Sequence, residues 1–171
     1  MSPNVLGRWV ANEMQIKERV ALKMSDHFVR LIPEDIHISL DENSINLIEG
    51  LRWNENIPKF IFSEQVHFAD AGQNFESVKC PSCKTDLIEW WGNAMSSAYS
   101  NEHGFVNLEI TTPCCSMNMS LHDLEYNFPQ GFYKTMIEVM HESENKAVYG
   151  DIVDSLLNIT GVKWRIIYAH Y

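Results

Sequence analysis

No stretch of the chain approaches the ~18 apolar residues of a membrane-spanning helix. The opening segment, MSPNVLGRWVANEMQIKERV, lacks the charged start, apolar stretch and small-residue cleavage site of a signal peptide. Both absences predict a cytoplasmic protein, in a compartment that keeps thiols reduced. Basic residues are also scarce: 13 Lys and Arg stand against 23 Asp and Glu, for a formal net charge of -10. Nucleic-acid affinity is built from Lys and Arg that displace counterions, and no basic run interrupts the acidic balance. A phosphate backbone is therefore disfavoured as partner, and a basic protein is favoured. A toxin or nuclease of the kind that acidic immunity proteins meet would have that character. Catalytic signatures are missing as well, with no G-x-S-x-G, Walker loop, Rossmann glycine pattern or H-E-x-x-H. Cysteine is limited to four residues, confined to two short stretches.

What is present suits a folded domain: 171 residues, 45% of them hydrophobic and 21% charged. Val5, Trp9, Val10, Met14, Ile16 and Val20 have helical spacing, so residues 1–24 are predicted as an N-terminal amphipathic helix. HFVRLI, from His27 to Ile32, reads as a strand ended by Pro33. DENSINLIEGLRW follows as a helix, with Asp41 as N-cap and Ile45, Ile48 and Leu51 on its apolar side. EQVHFADAG then alternates as a second strand. GFYKTMIEVMH, KAVYGDIVDSLLNITG and VKWRIIYAHY repeat the order strand, helix, strand, the helix closing on Gly161. Two β-α-β halves predict an α+β fold, a ferredoxin-like split β-α-β sheet built from residues 25–72 and 131–171. Residues 73–130 would be an insertion between its second and third strands.

That insertion holds every cysteine. Cys80 and Cys83 form C-x-x-C around Pro81, a spacing that lets one tight turn aim two sulfurs and several N–H groups into the same space. Such a turn supplies half of a tetrahedral Zn²⁺ site. Cys114 and Cys115, after Pro113, are the only thiols left to complete it. Adjacent residues on a regular strand point to opposite sides, so both reach one metal only if the backbone turns there. Otherwise one of the pair packs as a small hydrophobe, and His122 or His103 becomes the fourth ligand. Four thiolates leave no open position for water, so the site would be structural and would hold together an insertion of modest core. A rival reading is a thiol redox site on Cys80 and Cys83, because C-P-x-C before a helix and a TTP segment also mark thioredoxin-like proteins. GQNFESVK, however, does not read as the buried central strand that such a site follows.

The segments NFESVKCPSC, WW, TPCCSMNMSLHDLEYNFPQGF and VKWRIIYAHY together resemble a family of uncharacterised bacterial proteins. In that family C-P-x-C and P-C-C segments precede a S-L-x-D-L-x-Y run and then P-x-G-F. The resemblance spans roughly residues 66–171. It implies a bacterial cytoplasmic protein with a zinc-ribbon-like insertion, and it carries no activity. Gly usually follows the P-C-C pair in the pattern, where this chain has Ser116.

Other chemistry is thinner. His67, His141 and His170 fall on predicted strands, with Asp70 and Glu138 on two of the same strands. An enzyme or small-ligand binder would use a polar cleft between sheet and insertion, with His67, Asp70 and His141 as its acid–base set. Trp90 and Trp91 are about 100° apart on a helix, so one should pack inward while the other is left for an interface. Trp164 or Tyr168 is expected on the sheet face that the helices leave open, where it would serve a partner or self-association.

Overall fold

The computed structural model describes residues 27–53, 56–140 and 147–171. The helix predicted over 1–24, and His141, lie outside them. Local signals set the main elements. Strand β1 (His27–Pro33) ends on its proline. Asp41 holds an extended backbone and accepts the Ser44 N–H at 2.7 Å, which starts α1 (Glu42–Glu49) and turns Ile48 into the core. Strand β2 (Lys59–Ala69) follows, then the insertion, then β9 (Gly131–Met140). Helix α3 (Ala147–Thr160) closes on Gly161, whose φ of 73° lets its N–H reach Leu157 O at 2.8 Å. Strand β10 (Trp164–His170) completes the chain's fold.

The result is a mixed α+β architecture around one six-stranded sheet, ordered β10-β1-β9-β2-β5-β4, where β4 is Tyr99–Ser100 and β5 is Gly104–Phe105. The first four strands pair antiparallel throughout. Helix α1 links β1 to β2 across the intervening β9, and α3 links β9 to β10 across β1. Both helices bury Ile48, Tyr149, Ile152 and Leu156 against Val29, Leu31, Ile137 and Val139. Alternation on β10 places Trp164 and Tyr168 on this helix-covered side, with Trp164 5% exposed. The expectation that one of them faces outward is therefore corrected: the even-numbered residues of β10 serve the helices, while Arg165, Ile167 and Ala169 face the other way.

The insertion is built onto the sheet. Strand β5 pairs parallel with β2 at Val66, and β4 pairs with β5. Gly104 makes that approach feasible, since a Cβ there would lie 2.7 Å from Val66 O. The remaining pieces are β3 (Val78–Lys79) paired with β8 (Glu125–Tyr126), the hairpin β6 (Glu109–Thr111) and β7 (Asn118–Ser120), and helix α2 (Ile88–Ala98). Phe68 and Phe132 of the sheet meet Trp91, Phe105 and Tyr126 of the insertion with ring centroids 4.9–6.4 Å apart. Trp91 is thus the inward tryptophan, its Nε1 donating to Tyr126 OH at 3.3 Å, while Trp90 stays half-buried.

A polar junction ties the two parts together. Arg165 on β10 grips Glu34 through Nε (3.1 Å) and Nη2 (2.7 Å) and donates to the carbonyls of His122 and Gln130 through Nη1. The buried His122 accepts the Phe132 N–H at Nδ1 (2.9 Å) and turns Nε2 toward Glu34, 3.4 Å away. Gly131 is needed beneath this ring, because a Cβ would come within 2.9 Å of His122 Cε1. The nearby His122 ring and then the Arg165 hydrogen bonds hold the Glu34 carboxyl down to about 2, against the opposing effect of burial.

A carboxyl lowered on folding stabilises the fold above its ordinary value of 4.5, and the contribution disappears as pH falls toward 2. Acid unfolding of Glu34→Gln should accordingly lose part of the stability slope over that window and be less stable than wild type at neutral pH. Parallel stability–pH curves for the two proteins would show that Glu34 does not couple to the fold.

Candidate metal centre

The two cysteine loops share one backbone conformation. In the first, Cys80 N–H donates to Thr85 O and Lys84 N–H to Cys80 O, both at 2.9 Å. In the second, Thr112 N–H donates to Met117 O and Ser116 N–H to Thr112 O, again at 2.9 Å. Lys84 and Ser116 close the loops in the left-handed region, with φ of 62° and 56°. The flanking strand pairs match too, Lys79 with Asp86 and Thr111 with Asn118. Cys115 therefore occupies the place of Cys83, and Thr112 the place of Cys80. Thr112 is buried as Cys80 is, and its Oγ1 lies 3.5 Å from Cys115 Sγ while accepting the Met117 N–H. The second thiol of this loop comes one residue before the loop's last cysteine position, which is why its cysteines are adjacent. The turn on which the adjacent pair depends is present, made by Ser116.

These loops bring Cys80, Cys83, Cys114 and Cys115 together with all four sulfurs within 4.8 Å of one another. The short contacts run between loops, Cys83 to Cys114 at 3.3 Å and Cys80 to Cys115 at 3.6 Å, with Cys114 to Cys115 at 3.8 Å. A tetrahedral ion bonded to four sulfurs at ~2.3 Å requires edges of about 3.8 Å, so the cluster has the size to hold a metal. All four thiols are free, Cys80 buried and the other three exposed.

Electrostatics favour a cation as well. The backbone N–H groups of Cys83 and Ser82 lower the Cys80 thiol. The Thr85 hydroxyl and N–H, with Cys114, draw Cys83 down to about 6. Loss of hydration and the hydrogen bonds to Cys83 and Cys80 push Cys114 up to about 12. Sulfurs this close share protons unless a positive ion lets every one of them ionise.

Other residues singled out in the sequence go elsewhere. His122 spends its ring on the junction, and His103 is exposed beside Glu102, 3.8 Å away. Among the described residues the cluster suited to a metal consists of the cysteines alone. Asp70 Oδ1 accepts from Tyr171 OH and the Gly72 N–H, both at 2.8 Å. Its carbonyl accepts from Arg30, which also binds Glu138 at 2.9 Å. His67 pairs with Ser63 at 2.9 Å across the irregularity in β2, and His170 stacks on His27 at 4.4 Å. Asp70 and His67 thus have separate sets of partners. Residues that the sequence did not mark are Thr85, Thr112 and the loop-closing Lys84. Among the described residues no helix is long and apolar enough to cross a membrane.

A side chain branched at Cβ tolerates the left-handed region poorly. Ser116→Val should cost about 1–2 kcal/mol in denaturant unfolding, whereas Ser116→Gly should cost nothing. Equal stabilities for the two variants would mean that the turn is dispensable.

Comparison with models of known families, with curated proteins and with solved structures finds no match. What the site can do is read from its own residues.

Proposed function

We propose that the chain is a zinc-stabilised, non-enzymatic protein-interaction module of the cytoplasm, immunity-like in its acidic preference for a basic partner. In this reading a ferredoxin-like split β-α-β sheet carries a zinc-ribbon-like insertion, and Cys80, Cys83, Cys114 and Cys115 bind one structural Zn²⁺. The observation that carries it is the gathering of four sulfurs within 4.8 Å by two loops of one conformation. Thiolates select zinc among the common divalent ions of a reduced compartment. Support for the sheet topology is the antiparallel order β10-β1-β9-β2 with a helix crossing over one strand in each half. Four thiolates fill a tetrahedron and leave no place for an activated water, which speaks for structure rather than catalysis. The short contacts between the loops, Cys83 to Cys114 and Cys80 to Cys115, speak for a shared metal rather than for a Cys80–Cys83 redox couple.

Purified protein should retain about one zinc per chain, measured by elemental analysis, and Cys80→Ser or Cys115→Ser should lose it. Chelation should raise hydrogen exchange across residues 73–130 before β1, β9 and β10 respond. Less than half an equivalent of zinc, or exchange unchanged by chelation, would sink the reading.

A further inference from the structure

Residues 73–130 are acidic, as residues 25–72 also are. Residues 73–130 hold seven Asp and Glu against Lys79 and Lys84 alone, a balance of -5 out of the chain's -10 on about a third of its length. Of the two cations, Lys84 is committed to Glu125. Four thiolates around a divalent ion add two more negative charges in the same place.

Two hollows flank Trp90 on this part and share it as a common wall. One, of about 540 Å³, lies between the start of α2 and the second cysteine loop, with Pro113 and Cys114 on its far side. The other, of about 350 Å³, runs between α2 and β6, with Ile110 in its lining. Asp86 and Glu89 line the first and Glu109 the second, and among the described residues neither is lined by Lys or Arg. A half-buried indole between acids is the setting that a guanidinium fits: its flat face stacks on the ring while its N–H groups meet carboxylates.

We infer that this Trp90 furrow is a docking surface for an arginine-bearing basic segment of a protein partner. Resting on the interaction reading above, the inference assigns its surface and chemistry. An arginine stacks on Trp90, neighbouring basic side chains reach Glu89 and Glu109, and an apolar side chain of the segment lies against Ile110. Charge complementarity selects this occupant over a second copy of the chain, which would bring acid against acid. Pro113 and Cys114 form one wall, so the metal loop shapes the site.

The test uses the full zinc-loaded chain and a fluorescein-labelled decapeptide alternating arginine with leucine, followed by anisotropy at low ionic strength. Saturable binding is expected, with no binding of the glutamate–leucine counterpart. Trp90→Ala should weaken it by about tenfold or more. Because Trp90 also supports the insertion, the exposed pair Glu89→Lys/Glu109→Lys provides an independent loss of the same size. Glu42→Lys/Glu49→Lys on α1 makes the same charge change elsewhere and should leave binding intact. No binding of the arginine peptide, equal binding by all variants, or equal loss from the α1 pair would overturn the inference. Zinc content separates the two readings: a chain that keeps its zinc but ignores the peptide refutes the furrow alone, and one without zinc refutes the module.

Discussion

Lys84 and Ser116 carry the backbone into the left-handed region directly after the last cysteine of each loop, and the sulfurs converge because both do. Neither residue type is at ease there; the conformation costs an L-residue about 1–2 kcal/mol. Each loop offsets part of this with its two closing hydrogen bonds. Under the zinc reading, the rest of the offset is coupled to the ion. Without a cation the thiols divide into one drawn well down and one pushed well up, a compromise that a bound ion removes. Under the zinc reading, loop strain and thiolate repulsion are both met by metal–sulfur bonds.

The metal need not fold everything around it. Cys80 is buried in the same cluster as Val78, Leu87, Leu121 and Phe132, so the first loop stands on an apolar base that reaches the sheet. Strand β5 adds backbone pairing to β2, and Arg165 clamps Glu34 and the His122 and Gln130 carbonyls from across the junction. The second loop has less beneath it, being the tip of a hairpin with exposed Cys114 and Cys115. The two loops are supported unequally, the first by the core beneath Cys80 and the second by its hairpin.

Much of this was legible because it follows local rules. The periodicities of β1, α1, β9, α3 and β10, the Asp41 cap and the Gly161 stop read directly from the residues, as did the four sulfurs. What escaped depends on partners distant in sequence. Strands β4 and β5 are two residues each, too short for a pattern, and Gly104 reveals its purpose only beside Val66. Which side of β10 the helices cover decides the fate of Trp164 and Tyr168, and alternation alone is symmetric between the two sides. His122 resembles a ligand in sequence, yet an N–H from Phe132 claims its Nδ1. Thr112 gives no hint that it stands in a cysteine's place, since only the matching hydrogen bonds reveal the equivalence.

That equivalence bears on how charge and metal are connected. Thr112 puts a neutral hydroxyl where the first loop has the Cys80 thiol, and this loop's second sulfur is that of Cys114, on the wall of the Trp90 furrow. A loaded four-thiolate site is a dianion, so its field is felt at a surface already lined by Asp86, Glu89 and Glu109. The Debye length at physiological salt is about 8 Å, enough for a charge in the wall to act on a cation in the furrow. If both proposals hold, binding of metal and binding of a basic segment would favour each other, and linkage makes the coupling equal in both directions. On the zinc and furrow readings, two loops built alike from different residues would place the ion where it also adds to the acid of the docking surface.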